Sequence, residues 1–399
     1  MPILFLIVFV DLVGFGLVIP LLPFYATRFD ATPQQVTMLM ATFSLMSMFA
    51  APLWGRLSDR VGRRPVLMAS MMAASLAYLW LGFATQLWMI FAARAFAGIC
   101  AGNIAAAQAY IADVTPPEKR ARGMGMIGAA FGLGFIIGPA LGGIAAGNNA
   151  ATANLQTPGL IAAGLSFCAF LGVLFILPES RGAAAGRPAR GRFAALGNAL
   201  GRPVLARLLA VFLLVILAFA GMESTFALWA MRQFDWGPAQ VGYALTYVGL
   251  LSAVMQGGLI GPLTSRLGEE TLMLGGLALI ALGLIGLPFA RLLPELLVAL
   301  AALAIGMGAM QPSLNSLISR HAGAEEQGEV MGVAQSVGSL SRVLGPLIAG
   351  ALFAGLGRGS PFLAGALVVG AALLIGWQLP RLAIARPETP PGPAPGPAQ

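Results

Sequence analysis

Four ionisable side chains stand inside long apolar stretches: Asp11, Arg94, Glu223 and Arg342. Charged residues make up 10% of the sequence and hydrophobic ones 58%, so charge inside such a run is a functional-site hypothesis by default. Asp11 lies roughly 12 Å into its run at about 1.5 Å per residue, and Arg94 is at a similar depth from the far end of another. If their helices are neighbours, the two can meet. Burial disfavours the ionised carboxylate and a nearby arginine favours it, so a site balanced between them loads and releases a proton as water access alternates. The competing reading is a snorkelling or structurally paired carboxylate. Glu223, in Phe219-Ala220-Gly221-Met222-Glu223-Ser224-Thr225-Phe226, has no basic residue within a helical turn. Neutral, it is a proton site; ionised, it attracts a cationic substrate; near an interface, it is a carboxyl held by Ser or Thr. Arg342 is a possible partner.

A second concentration of charge is Gly55-Arg56-Leu57-Ser58-Asp59-Arg60-Val61-Gly62-Arg63-Arg64-Pro65, a charged loop between two uncharged runs. Gly55, Asp59 and Arg63 recur at a spacing that stacks them on one face of a helical turn. Asp113, at the end of a later run, is the nearest candidate partner for Arg63. The bland alternative is a solvated basic loop. Polar amides inside apolar runs, Asn103, Gln108, Gln256, Gln311 and Asn315, face a cavity or a neighbouring helix. Phe15, Phe43 and Met46 are among the aromatics and methionines that line a cavity or face lipid. Gly128, Gly132, Gly134, Gly138, Gly142 and Gly143, with Pro139, form a ladder for close, bendable helix packing. No lysine follows it, so a phosphate-binding loop is excluded. The cysteines, Cys100 and Cys168, fall in apolar runs, so no disulfide framework or metal site is expected. The lone histidine, His321, is assigned no role, and no cofactor is expected.

The elements that must position these groups follow from length and hydropathy. Apolar runs of the length needed to cross a ~30 Å hydrocarbon core recur at 3–25, 36–55, 65–84, 87–112, 122–146, 159–178, 205–230, 238–261, 271–290, 295–319, 328–355 and 361–379. Lipid admits only helices or closed barrels, and there is no two-residue alternation to suggest a barrel. The fold class is an all-α membrane protein of twelve transmembrane helices in two pseudo-symmetric six-helix bundles. The first run has no basic flank or cleavage site and reads as a helix, not a signal peptide. The net charge of +8 reflects arginines gathered in one set of loops, which places that set and both termini in the cytoplasm and excludes nucleic acid as partner. The expected division is a bundle at 1–178, a cytoplasmic linker at 179–204, a second bundle at 205–380 and a disordered tail at 381–399. The halves echo each other. Shifted by 206 residues, Gly55-x-Leu57-x-x-Arg60-x-Gly62 meets Gly261-x-Leu263-x-x-Arg266-x-Gly268. Shifted by 207, Gly138-Pro139 meets Gly345-Pro346 and Gln108 meets Asn315.

These residues resemble the major facilitator superfamily, and within it the 12-span drug:proton antiporters that include the tetracycline exporters. The Gly55–Pro65 stretch is similar to the family's loop 2–3 signature, Arg94-x-x-x-Gly98 to its fourth-helix motif and the Gly128–Gly143 ladder to its fifth-helix motif. Asp11-Leu12-Val13-Gly14-Phe15-Gly16 with Pro20 and Pro23 resembles the first-helix motif of the exporters. The resemblance implies that Asp59, Arg63 and Asp113 form a latch closing the halves on the cytoplasmic side, with Asp59 facing the start of the eleventh span near Gly328. Gly55, Arg60, Gly62 and Arg64 complete that gate. The tetracycline exporters carry acids in the third and ninth spans, where this chain has Ala77 and the uncharged stretch Leu272 to Leu287. Asp11 and Glu223 are left to share that work, with Arg94 tuning Asp11. The expectation is a monomeric, proton-coupled exporter of small lipophilic or cationic compounds in a bacterial inner membrane, not an enzyme. Export of an endogenous metabolite or sugar is the alternative, and a non-transporting receptor a weaker one.

Overall fold

A computed structural model describes residues 2–115, 117–180, 197–322 and 326–378. Most of the expected linker, its arginines Arg181, Arg187, Arg190 and Arg192, and the proline-rich tail lie outside them. Among the described residues, twelve helices are long and apolar enough to span a membrane. They are α1 (Ile3–Thr27), α2 (Pro33–Val61), α3 (Arg63–Gly82), α4 (Leu87–Val114), α5 (Gly125–Ala146), α6 (Gln156–Phe175), α7 (Pro203–Phe234), α8 (Pro238–Leu267), α9 (Glu269–Phe289), α10 (Leu293–His321), α11 (Gln327–Leu356) and α12 (Ser360–Trp377). No strand occurs among the described residues.

Each expected run corresponds to one helix, and several helices outlast the hydropathy. The charged stretch is the clearest case. It is not a loop: α2 runs through it to Val61, Gly62 alone makes the corner at φ +107°, and α3 starts at Arg63. Hydropathy marks where lipid ends, whereas backbone hydrogen bonds continue into the headgroup region. The other end of α2 is set by its own residues. The Thr32 hydroxyl accepts the Gln35 N–H at 3.3 Å and the Gln35 side chain accepts the Thr32 N–H at 2.9 Å, a capping box ahead of Pro33. Two spans are interrupted. α4 breaks between Ile99 and Asn103, and α8 carries a π-helical turn at Met255–Leu259, a feature frequent at functional sites.

The two halves meet along α5 with α8 and along α2 with α11, and they meet at one end. Along the seam face of α5, the Gly143 backbone lies against Pro238, and the Pro139 carbonyl lies where a Cβ on Gly242 would stand. The Ile136 carbonyl accepts the Thr246 hydroxyl at 3.0 Å. Beside them the Ala239 N–H donates to the Gly147 carbonyl at 3.1 Å. On the other seam Gly350 of α11 leaves room for the Thr37 hydroxyl of α2. Continuing one or two turns toward the arginine-rich end, Gly132 and Gly128 have nothing within 4 Å of a built Cβ, and the same is true of Gly257, Gly328 and Gly332. One buried apolar cluster runs through both halves. A second, including Leu4, Val66, Tyr110 and Val173, belongs to the first half alone. The molecule is closed at the end away from the arginines and open at the arginine-rich end.

The contrast along α5 and α8 is directly testable. Gly242→Ala is expected to destabilise by about 1–3 kcal/mol through overpacking against Pro139, read as a lowered Tm in detergent. Gly132→Ala, facing open space, should be neutral or stabilising by up to about 1 kcal/mol. A comparable loss from both substitutions would show that the α5 face is packed along its whole length.

Candidate functional site

Asp11 is 4% exposed, in the body of α1. Its Oδ1 accepts the Ser166 hydroxyl of α6 at 2.9 Å, and its Oδ2 accepts the Asn103 side-chain amide of α4. Gly14 lets α1 approach the backbone of α6 at Ala162, which brings Ser166 within reach. Asn103 is held by the break in α4. Its Oδ1 accepts the Ile104 N–H at 2.9 Å, while Ser70 accepts the Gly102 N–H at 3.0 Å and Trp54 Nε1 donates to the Ile99 carbonyl at 2.6 Å. The backbone groups freed by the break are thereby satisfied inside the bundle, as a membrane interior requires. The N-terminus of the helix segment Asn103–Val114, with its positive dipole end, sits beside the carboxylate.

Arg94 does not pair with Asp11, contrary to the sequence expectation. The carboxylate is bonded to Asn103 and Ser166, and no ion pair joins it to Arg94 within 4.0 Å. Arg94, 4% exposed, instead lays its guanidinium over the Phe43 ring of α2 at 4.5 Å. Its Nε has no hydrogen-bond partner. Tyr78 of α3 lies within electrostatic reach of both Asp11 and Arg94.

In the second half Arg342, a possible partner of Glu223, makes no ion pair with it within 4.0 Å. They interact electrostatically across α7 and α11. Close packing of α7 on α11, through Gly221 and Gly345, brings them together. Ser224 and Thr225 both turn back to the Gly221 carbonyl at 2.9 Å, so the reading of Glu223 as a carboxyl held by its neighbouring hydroxyls fails. Arg342 is exposed.

At the arginine-rich end Arg63 bonds Asp59 at 2.6 Å and Asp113 at 2.9 Å, the trio expected from the sequence. The expected latch between halves is not made. Asp59 keeps 67% of its side chain exposed and Gly328 has open space around it, because the halves diverge at this end. The trio is an internal brace of the first half. Arg60 is exposed, and Gly55 has nothing within 4 Å of a built Cβ. Glu179, just beyond α6, escaped the sequence reading. Its carboxylate accepts the N–H groups of Arg63 at 2.9 Å and Arg64 at 3.2 Å, capping α3 from the segment that follows α6. It lies against Gly62, where a Cβ would collide with it. Arg64 reaches back to the Val173 and Leu174 carbonyls at 3.3 and 2.5 Å. The signal available in the sequence was a lone acid after Leu177-Pro178 at a helix end; nothing in its spacing pointed to α3. In the second half Ser265 replaces Asp59, and a different brace forms: Glu269 accepts Ser316 at 2.7 Å and pairs with Arg320 at 3.3 Å.

The glycine ladder divides by face. Gly134, Gly138 and Gly142 pack on α1, while Gly143 and Pro139 meet α8 at the seam; Gly128 and Gly132, expected in the close-packed seam, line its open part. Of the polar amides only Asn103 is engaged. Gln108 and Gln256 are exposed and Gln311 and Asn315 half-buried. Among the described residues no group of three or more His, Cys, Asp or Glu could hold a metal. Glu179→Ala removes the cap from two N–H groups and should cost about 1 kcal/mol, with faster amide exchange at Arg63 and Arg64. Unchanged exchange there would show that the cap does not hold the corner.

The chain is similar to known proteins. The model of the Major Facilitator Superfamily matches residues 4–346 and, overlapping, 224–398. The class C tetracycline resistance protein of Escherichia coli is 34% identical over 92% of this chain and 92% of its own. Multidrug resistance protein 2 of Bacillus subtilis is 29% identical over 93% of each. Among solved structures, the human organic anion transporter MFSD10 superposes with a TM-score of 0.70 at 26% identity, covering 94% of this chain and 98% of its own. A bacterial homologue of the lysosomal transporter Spinster, inward-facing and occupied, has a TM-score of 0.77 at 15% identity, covering 95% and 96%, which speaks to fold alone.

Proposed function

This chain belongs to the major facilitator superfamily, and from that membership we propose that it exports small lipophilic compounds in exchange for protons. Its relatives are named for tetracycline and multidrug resistance, which supports drug efflux over export of a metabolite or sugar. The halves, 1–178 and 205–380, alternate access by rocking about the seam, and the linker 179–204 tethers them. The arginine-rich end faces the cytoplasm of a bacterial inner membrane, so the open form admits cargo from inside. The chain works as a monomer and carries out no chemical conversion of its cargo.

The observation that carries proton coupling is the environment of Asp11. An acid in the membrane interior is expensive unless it is used, and this one has partners suited to both protonation states. Asn103 offers an N–H that can only donate, whereas the Ser166 hydroxyl can donate or accept. When Asp11 is ionised both partners donate to it. When it takes up a proton, the Ser166 bond reverses: the carboxyl O–H donates to Ser166 Oγ and the other oxygen still accepts from Asn103. The site holds a proton without breaking its network. Glu223, with Arg342 in electrostatic reach, is the corresponding group of the second half, and cargo and proton compete through the conformation that exposes them.

A growth screen of expressing cells against toxic compounds, tetracycline included, identifies a cargo for liposome assays. With an imposed pH gradient, Asp11→Asn is expected to cut gradient-driven transport by about 10-fold or more, and Glu223→Gln by several-fold. Gradient-driven transport that is unchanged in both variants, or wild-type transport indifferent to the gradient, excludes these acids as the coupling groups.

A further inference from the structure

We propose that Arg94 is the anion-recognising residue of the cargo site, that Phe43 covers it when the site is empty, and that the cargo is a lipophilic aromatic compound bearing a carboxylate or similarly acidic group. This deepens the exporter reading and rests on it for the word cargo, though not for the binding chemistry.

An arginine 4% exposed is an unusual thing to leave unanswered. Its guanidinium is permanently charged and offers several N–H donors in one plane. Removing such a charge from water is costly unless an anion and hydrogen bonds compensate it. Here Nε is orphaned and no ion pair or hydrogen bond to a described residue is made by the side chain. Asp11 makes no ion pair with it within 4.0 Å and is bonded to Asn103 and Ser166 instead. The third span has Ala77, not an acid, beside Tyr78. Among the described residues, then, no carboxylate lies within 4.0 Å of this buried cation.

What covers the guanidinium instead is the Phe43 ring face, 4.5 Å away, a weaker attraction than a charge-assisted hydrogen bond. The stacking is built in: Gly98, one turn along α4, brings its backbone against Phe43 and Met46 of α2 so closely that a Cβ would meet the Phe43 carbonyl at 2.6 Å. Phe43 is half-buried and touches Phe15 at 5.5 Å, and Phe15 touches Phe135 of α5 at 6.2 Å between ring centroids. Phe135 adjoins Ile136, whose carbonyl bonds α8 at the seam. A row of half-buried rings thus leads from the seam to a buried cation. An aromatic body can stack along the row, and its acidic group can displace Phe43 and take the planar, bidentate geometry that guanidinium favours. A neutral compound leaves the arginine unanswered, and a cationic one is repelled by it.

Binding to the purified full-length protein, measured by calorimetry with 1-naphthylacetate and its neutral isostere 1-naphthylacetamide, tests this without requiring transport. The acid is expected to bind about 10-fold or more tightly than the amide. Arg94→Gln should erase that preference by weakening the acid alone, with Arg94→Lys intermediate. Equal affinity for the two probes in the wild type, no binding of either, or equal loss of both in Arg94→Gln overturns the proposal. If Arg94→Gln does not fold, Arg94→Lys and the wild-type ratio decide. For the lid, acid affinity that is unchanged or raised in Phe43→Leu supports it, and a fall as large as that of Arg94→Gln overturns it. Acid-selective binding without gradient-driven transport would sink the exporter reading and leave this one standing; gradient-driven transport without acid preference would do the reverse.

Discussion

Lipid supplies no hydrogen-bond partner, so a polar group at membrane depth must be satisfied by the chain or by water in a cavity. That constraint shapes the first half around Asp11. The carboxylate draws on α4 and α6 together, and the α4 break that presents Asn103 is tolerated only because Ser70 and Trp54 satisfy the backbone groups it frees. Glycines on α1 allow the approach: Gly14 admits α6, and Gly16 lies against the Gly134 carbonyl of α5. Side-chain chemistry in the membrane and helix spacing are therefore one problem. Arg94 is where the internal accounting does not close, and the protein leaves a ring face where an anion belongs.

The seam obeys the same rule with backbone instead of side chains. At the closed end α5 and α8 approach to backbone contact, with Gly143 and Gly242 providing the room. Toward the open end the seam face of α5 continues through Gly132 and Gly128, with small residues and nothing against them. A face smooth along its length can meet its partner at either end, which is what rocking between two closures requires. The braces at the open end are confined within halves: Arg63 with Asp59 and Asp113 in one, Glu269 with Arg320 in the other. None of them joins one half to the other. The duplication preserved the corner glycines, Gly62 and Gly268, both at positive φ, but the charges around them have diverged.

The number of spans, the two halves and the identity of the intramembrane charges were legible in the sequence alone, because hydropathy over twenty residues and the cost of burying charge are local properties that no tertiary contact can cancel. The Arg63 trio was legible too, through the four-residue spacing of Asp59 and Arg63 and the family resemblance that adds Asp113. Helix ends were less so: the Gly55–Pro65 stretch reads as a loop by polarity, yet is helical on both sides of Gly62. Pairings between distant spans lay beyond the sequence. Asp11 with Ser166, Glu179 with the α3 N-terminus, and Arg94 under Phe43 depend on which helices are neighbours and how they are rotated. A rotation of one residue on a helix turns a side chain by about 100°, enough to exchange one partner for another without altering composition or hydropathy. The conformation, closed at one end and open at the other, was also decided by tertiary structure, because a sequence built to alternate is compatible with both closures.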